Sequence, residues 1–132
     1  MDYKYDLPDF SQDGFGMLIG DTLTSVEMRN DDLILECASG KIYEMGYIPD
    51  CCASCYLEDG FDDLKELVDQ EIVVASIDSS HDAPPDVKQD YIPESQTWTF
   101  YTLRTNKGTA QLRWYGSSNG YYSETPTFRR VK

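Results

Sequence analysis

Two β-rich stretches near the C-terminus constrain the fold of this chain more than any other feature. Residues 96–105 and 109–115 are rich in Thr, Tyr, Trp and Phe, and they flank the segment Asn106-Lys107-Gly108. Gly108 can take the left-handed position of a three-residue turn that ends in a bulge. The sequence therefore predicts an antiparallel hairpin in which Thr105 pairs with Thr109.

This register sorts the hairpin side chains onto two faces. The predicted core face carries Trp98, Phe100, Thr102, Leu112 and Trp114. The opposite face places Tyr101 across from Arg113 and also presents Thr97, Thr99, Leu103, Gln111 and Tyr115. A shift of one residue would exchange the faces, so the assignment depends on the geometry of the turn.

The rest of the chain predicts short strands and a helix. Patterns typical of strands cover residues 22–27, 33–37, 41–47 and 71–77, and residues 60–68 have one apolar helical face. Residues 1–16 are predicted to be a loose arm, and residues 79–95 a long loop with three prolines. We predict a single α+β domain: an antiparallel β-meander with one or two short helices.

Length and the N-terminus bear on the cellular location. With 132 residues the chain is long enough for one core but too short for two. It has no apolar run of about 18 residues, and its first residues do not resemble a signal peptide. We expect a cytoplasmic protein that does not enter the membrane.

The four cysteines favour reduced thiols. Cys51, Cys52 and Cys55 are clustered, whereas Cys37 stands alone, so disulfides would close few loops. The spacing Cys52-x-x-Cys55 leaves a zinc site open as an alternative, although a structural site needs two such pairs and His81 lies far away in sequence. We predict no metal and no cofactor.

Charge is distributed unevenly along the chain. Residues 1–95 carry 23 acidic and 5 basic residues, a charge of −18, whereas residues 96–132 carry one acidic and six basic residues, a charge of +5. The net charge of −13 argues against a partner that is a nucleic-acid polymer. The basic final third indicates either internal neutralisation or a local anion site.

A loop rich in hydrogen-bond donors follows the hairpin. Residues 116–124 contain two glycines, three serines, an asparagine and two tyrosines. Arginine grips phosphate, hydroxyl groups bind ribose oxygens, and tyrosine stacks on a base, so this combination suits a nucleotide-sized anion. The alternative is an edge hairpin with solvated polar residues, in which Tyr101 and Arg113 form only a cation–π pair.

Several motifs resemble a known family. They are Asp50-Cys51-Cys52, Tyr56-Leu57-Glu58-Asp59, the segment from Phe61 to Leu67, Thr97-Trp98-Thr99-Phe100-Tyr101, Thr105-Asn106-Lys107-Gly108 and, most clearly, the run from Arg113 to Ser123. The chain resembles, over residues 19–128 apart from the 79–95 loop, a family of small phage proteins that is similar to the anti-Thoeris proteins. That resemblance implies a sponge that sequesters a cyclic ADP-ribose isomer without cleaving it.

The resemblance has further implications for assembly and ligand choice. It implies a dimer or higher oligomer, and some similar proteins also bind cyclic oligonucleotides at a second site. Many similar proteins have a histidine shortly before Asp-Cys-Cys, where this chain has Gly46-Tyr47-Ile48-Pro49. Ligand preference is therefore expected to differ.

The chemistry of such a ligand selects the candidate site residues. A cyclic ADP-ribose isomer is a small dianion with an adenine ring and ribose hydroxyls. Arg113 and Arg104 are candidates for the diphosphate, and Tyr101, Tyr115 or Tyr121 for stacking. Ser117, Ser118 and Asn119 are candidates for the hydroxyl groups, and Tyr122 lies beside them in the same loop.

Two other functions compete with this hypothesis. A metal-dependent phosphodiesterase would use the paired acids Glu58-Asp59 and Asp62-Asp63, but such pairs are usually solvated, and no nucleophile–histidine constellation is evident, so we predict no enzyme. The second is an acidic DNA mimic that occupies the DNA site of a restriction or repair enzyme. Its binding should weaken steeply with salt, whereas a small-ligand site should respond much less.

Overall fold

The computed structural model describes residues 12–47, 52–120 and 122–132 of the chain. A 3₁₀ helix spans Gln12–Leu18, and one α-helix, α1, spans Phe61–Lys65. The strands are β1 (Leu23–Arg29), β2 (Asp32–Cys37), β3 (Ile42–Gly46), β4 (Ala53–Asp59), β5 (Val74–Ser80), β6 (Ser95–Thr105), β7 (Gly108–Ser118) and β8 (Thr127–Arg130). None of the helices in these ranges is long and apolar enough to cross a membrane.

Two four-stranded antiparallel sheets make up the domain. The first has the order β1-β2-β3-β8, and the second has the order β4-β7-β6-β5. Tight turns connect the first three strands, with Asn30 at φ 58° and Gly40 at φ 93°, values that favour Asn and Gly over β-branched residues. The predicted single domain of antiparallel strands with short helices is confirmed, but it is mostly β-sheet rather than α+β, and the single predicted meander is two sheets.

One hydrophobic core joins the two sheets. Phe15 of the 3₁₀ helix is fully buried, with its ring 5.0 Å from the Tyr101 ring in the second sheet and 5.4 Å from the Phe128 ring in the first. Leu18 is also fully buried. The predicted loose arm of residues 1–16 therefore does not extend through residues 12–16, and residues 1–11 lie outside the described part.

Most of the predicted strands are confirmed, with shifted ends. The predicted strands at 22–27, 33–37, 41–47 and 96–105 match β1, β2, β3 and β6, whereas the strand predicted at 71–77 begins three residues later as β5. The helix is shorter than predicted. Strands β4 and β8 were not expected, and β7 continues through Ser118, so residues 116–118 belong to a strand rather than to a loop.

The predicted register of the hairpin is wrong by one residue. Thr105 pairs with Gly108, so that only Asn106 and Lys107 connect the strands, and Phe100 rather than Tyr101 lies opposite Arg113. The β7 half of the core face is confirmed, because Leu112 and Trp114 are buried in the core. The β6 half is exchanged, since Tyr101 and Leu103 belong to the core cluster while Phe100 lies on the other face.

Candidate functional site

The face of the second sheet that points away from the core carries most of the candidate residues. We call it the outer face. Register pairs align Phe100 with Arg113, Trp98 with Tyr115, and Gln96 with Ser117 across β6 and β7. On the other side of β7, Tyr56 pairs with Tyr115 and Ser54 pairs with Ser117.

Arg113 lies between two carboxylates on the outer face. Its Nε lies 2.7 Å from Glu58 Oε1, an ion pair without hydrogen-bond geometry, and its Nη1 donates to both carboxylate oxygens of Asp86 at 3.2 and 3.3 Å. Burial would lower the pKa of Arg113, but attraction to Glu58 and Asp86 outweighs burial and raises it. The guanidinium is therefore charged and already neutralised within the chain.

Aromatic rings lie next to Arg113 along the same face. The Trp98 and Tyr115 rings are 4.8 Å apart, and the Tyr115 and Tyr56 rings are 5.8 Å apart. Tyr56 is 47% exposed, whereas Trp98 is fully buried even though it does not face the core between the sheets. Burial raises the pKa of the Tyr115 hydroxyl, and that hydroxyl donates to Gln96 Oε1 at 3.1 Å.

Residues 81–94, which connect β5 to β6, cross the outer face, and we call them the strap. Asp86 contacts Arg113, and the amide groups of Gln89 and Gln96 form two hydrogen bonds of 2.8 and 3.3 Å. Near its start, His81 Nδ1 lies 2.9 Å from the Gln96 carbonyl oxygen. The predicted long loop is thus attached to the sheet at several points.

An open cleft of about 390 Å³ lies where the strap returns to the sheet. Its lining residues are Cys52, Ala53, Ser54, Tyr91, Pro93, Glu94, Ser117, Ser118 and Asn119. The Ser54 and Ser117 hydroxyls are 3.3 Å apart, and Tyr91 is 76% exposed. The cleft offers hydroxyl and amide groups and an aromatic ring, and Glu94 is the charged residue among the described lining.

A buried carboxylate fixes the wall of the cleft. Glu124 is 8% exposed and accepts hydrogen bonds from Thr97 Oγ1 at 2.8 Å and from Ser118 Oγ. Burial would raise the pKa of Glu124, but hydrogen bonds from Ser118, Ser95 and Thr97 outweigh burial and lower it. Ser118 is therefore committed to Glu124, and its hydroxyl is not available as a free donor to a ligand.

The structure brings some of the predicted site residues together and separates others. Arg113, Tyr115 and Ser117 share the outer face, and Ser118 and Asn119 line the cleft. Arg104 is exposed on the outer face, but it is four residues beyond Phe100, or about 13 Å along the strand. Tyr101 is fully buried against Phe15 in the core, so it is not part of the candidate site.

The two remaining predicted residues lie in the loop after β7. Tyr122 is 39% exposed. Tyr121 lies outside the described residues, as do Asp50 and Cys51 of the family motif. The loop itself is shorter than predicted, because β7 ends only at Ser118.

Sequence reasoning missed several residues that build the site. It assigned Trp98 to the core and did not consider Ser54, Tyr91 or Asp86. A two-residue connection through Asn106 and Lys107 gives the true register, whereas Gly108 favoured the longer, three-residue turn. No sequence signal relates Asp86 to Arg113, because the contact joins the strap to a strand 27 residues away.

A second groove, of about 520 Å³, lies at the opposite end of β4, beside the start of α1. It is lined by Met28, Leu57, Glu58, Asp59, Gly60, Phe61, Asp62 and Asp63. Within residues 12–47, 52–120 and 122–132, no three His, Cys, Asp or Glu side chains come together in a way that could hold a metal ion. The acidic groove therefore offers negative charge beside apolar side chains rather than a coordination site.

Two of the thiols are poor nucleophiles. Burial raises the pKa of Cys37 and of Cys55 to about 12, so both are protonated at neutral pH. Cys52 is exposed at the cleft. Covalent catalysis through Cys37 or Cys55 is thus not favoured.

Comparison with known proteins places the sequence in one family. The model of a family described as a domain of unknown function, DUF7448, matches residues 16–128. No curated protein and no solved structure matches the chain. The matched range includes seven of the eight strands in full, the first two residues of β8, the strap and the cleft.

Proposed function

Because the chain belongs to the DUF7448 family, whose description assigns no activity, we propose its function from the geometry of the outer face and the cleft. The domain binds and sequesters a nucleotide-type signal of the cyclic ADP-ribose class without cleaving it. It acts as a phage anti-defence protein in the cytoplasm of the host cell.

One observation carries this proposal. Ser117 and Asn119 line an open cleft at the end of a face that bears Arg113 and Tyr115. The cleft volume of about 390 Å³ falls within the usual range for small-molecule sites. Hydroxyl and amide groups fit ribose, and exposed rings fit an adenine base. Sequestration needs only this complementarity, with no nucleophile.

Titration calorimetry tests binding directly. Cyclic ADP-ribose isomers are titrated into the protein, with linear ADP-ribose and a cyclic dinucleotide as comparison ligands. We expect saturable heat with at least one cyclic ADP-ribose isomer. Heat with the cyclic dinucleotide alone would instead identify a cyclic oligonucleotide sponge, and the absence of heat with every isomer would contradict the proposal.

Recovery of the ligand tests whether the protein cleaves it. The bound complex is incubated and denatured, and the released nucleotide is identified by mass spectrometry. We expect intact ligand. Accumulation of ADP-ribose that depends on the protein would identify a hydrolase.

A substitution that fills the cleft tests its location. Ser54→Phe places a ring in the cleft without removing a buried contact, so ligand affinity should fall about tenfold or more, a loss of roughly 1.4 kcal/mol. Gln111→Phe is the matched control, because Gln111 lies on the outer face of the same sheet but does not line the cleft. Equal affinity in the two variants would place the ligand elsewhere.

Self-association is part of the same proposal. Tyr91 and Ile92 are adjacent at the strap surface and are 76% and 68% exposed. Exposed apolar neighbours favour a contact with another chain, and we infer a dimer or higher oligomer through them. Sedimentation of Ile92→Asp against Val131→Asp, a second exposed apolar position, tests this. A change in mass only for Ile92→Asp supports it.

A second candidate function rests on the charge that remains at the surface. Arg113 pairs with Glu58 of the acidic groove and Arg129 pairs with Glu44, but no described residue forms an ion pair with Asp59 or Asp63, so the groove keeps negative charge. An acidic DNA mimic would use that groove to occupy the site of a DNA-binding enzyme. Inhibition of a restriction endonuclease that falls steeply between low and physiological salt would favour this function.

A further inference from the structure

The guanidinium of Arg113 contacts two carboxylates, Glu58 and Asp86, whose side chains differ in solvent exposure. The side chain of Glu58 is 24% exposed and its oxygen lies 2.7 Å from Nε. The side chain of Asp86 is 67% exposed and its oxygens lie 3.2 and 3.3 Å from Nη1. Exposed ion pairs are weak because water competes for both charges. Asp86 is therefore the exchangeable partner of Arg113.

The strap also covers an aromatic pair. Trp98 lies on the outer face, where the strap crosses, yet its side chain is fully buried against Tyr115. Gln89 contacts Gln96 and the Tyr115 hydroxyl at 3.5 Å, which holds the strap over this part of the sheet. Opening the strap would expose one face of a ring pair that lies next to Arg113.

A hydrogen-bond donor is left without a partner beneath the strap. Trp98 Nε1 is buried and has no hydrogen-bond partner among the described residues. A buried donor without an acceptor is unfavourable, so such groups are usually satisfied by water or by a ligand. The indole of Trp98, which is paired with Tyr115, and the guanidinium of Arg113, which is paired with Phe100, thus belong to neighbouring cross-strand pairs on the same face.

From these observations we propose that Asp86 stands in for a ligand phosphate. A nucleotide whose phosphates each carry one negative charge displaces the strap, binds Arg113 in place of Asp86, and lays its base on the Trp98–Tyr115 pair. This inference rests on the proposed function and specifies how the anionic part of the ligand is bound, since the described lining of the cleft itself supplies no cation.

Charge selects the class of phosphate. Glu58 stays on Nε, so the exchange conserves local charge only when the incoming group carries one negative charge, as Asp86 does. The phosphates of an internal diphosphate or a diester meet this condition. A terminal phosphomonoester carries about 1.5 to 2 negative charges at pH 7, so Glu58 would repel it. AMP should therefore compete poorly with a cyclic ADP-ribose isomer.

The test compares two substitutions on the strap. Asp86→Asn removes the charge that holds Arg113 while keeping the shape of the side chain. Asp82→Asn is the matched control: it removes the same charge from an exposed position of the strap at which no described residue forms an ion pair. Both variants change the net charge equally, so a difference between them depends on the position of the charge rather than on net charge.

Opening of the strap is measured first, without ligand. Asp86→Asn should increase acrylamide quenching of Trp98 fluorescence and amide hydrogen exchange across residues 81–94. Trp98→Phe identifies the contribution of Trp98, since Trp114 is buried in the core. Quenching and exchange equal to those of Asp82→Asn would overturn the proposal, because Asp86 would then not hold the strap.

Affinity is measured second, by calorimetry with the cyclic ADP-ribose isomer and with AMP. Removing a competing internal carboxylate should tighten binding of the isomer by about threefold in Asp86→Asn but not in Asp82→Asn. If the wild type binds the isomer and Asp86→Asn does not tighten it, the stand-in role fails while the proposed function remains. If no variant binds it even with an open strap, the proposed function fails as well.

Discussion

Individual basic residues show how the positive charge of the C-terminal third is used. Arg113 pairs with Glu58 and Asp86, Arg129 Nη2 lies 2.7 Å from Glu44, and Lys107 Nζ donates to the Val68 carbonyl oxygen. The Val68 carbonyl is neutral, so ion pairs between described residues neutralise two of the six basic side chains of this segment, Arg113 and Arg129. A local anion site at Arg113 requires that one of its partners leaves, which is the role we assign to Asp86.

The buried carboxylate of Glu124 should make the free energy of unfolding depend on pH. Glu124→Gln replaces a charged acceptor of two hydroxyl groups, so it should reduce the free energy of unfolding by about 1–2 kcal/mol at pH 7. The folded pKa is lowered below the ordinary value of 4.5. The contribution is therefore fully present above that value and is lost as pH falls through the folded pKa.

Urea denaturation of the wild type and Glu124→Gln measures this difference. Between pH 7 and pH 5 the two curves should stay separated by a constant amount, and they should converge on further acidification. Glu66→Gln is the control, because Glu66 is exposed and its loss should change little. A separation that grows toward low pH would contradict the assigned pKa direction.

Gly116 lies too close to the backbone of Glu124 to be replaced by a larger residue without cost. A Cβ at this position would lie 1.9 Å from the Glu124 carbonyl oxygen, and a backbone atom cannot move aside easily. Gly116→Ala should therefore destabilise the protein by about 1–3 kcal/mol, measured as a shift in the urea midpoint. Gly16→Ala is the matched control, since a Cβ there has nothing within 4 Å. Equal shifts in both variants would contradict the close approach.

At the level of elements, the hairpin shows what the sequence could and could not predict. The two strands and the turn were predictable from β-branched and aromatic residues around Asn106 and Gly108. The register was not, because β6 is covered on both faces: Tyr101 and Leu103 pack in the core, and Trp98 is buried on the outer face. When both faces are covered, alternation of apolar and polar residues no longer identifies the core face.

In the candidate site, residues that are close in sequence were predictable, whereas residues brought in by tertiary contacts were not. Ser117 and Asn119 were predictable because they lie in a short run of donors beside Tyr115. Asp86 and Ser54 were not, because the strap and β4 reach the site through tertiary packing that leaves no local pattern. The β4 strand itself was missed, as its sequence Ala53–Asp59 lacks a strong β-propensity pattern.

The 3₁₀ helix carries a prediction at the element scale. Phe15 is fully buried between Tyr101 and Phe128, so this helix connects the two sheets. Phe15→Ala should lower the free energy of unfolding by about 3–5 kcal/mol, measured by urea denaturation. Met17→Ala, in the same helix but 45% exposed, should cost much less. Similar losses in the two variants would mean that the helix does not anchor the core.

At the level of the whole molecule, the net charge of −13 opposes the compact state. Ion pairs such as Arg129–Glu44 and Arg113–Glu58 oppose that repulsion locally, but acids outnumber bases by 24 to 11. Salt weakens repulsion and attraction alike. Because the net charge is as large as −13, we expect the loss of repulsion to dominate.

This expectation gives a prediction for thermal unfolding. As the Debye length shrinks from about 30 Å at 0.01 M salt to about 8 Å at 0.15 M, Tm should rise by a few degrees. The double variant Glu66→Gln, Asp82→Asn removes two exposed acids that form no ion pair with another described residue. It should have a higher Tm than the wild type at low salt and gain less from added salt. A Tm that falls with salt in the wild type would contradict this expectation. It would show that the ion pairs stabilise the fold more than the repulsion destabilises it, because screening can lower Tm only by weakening attraction between charges.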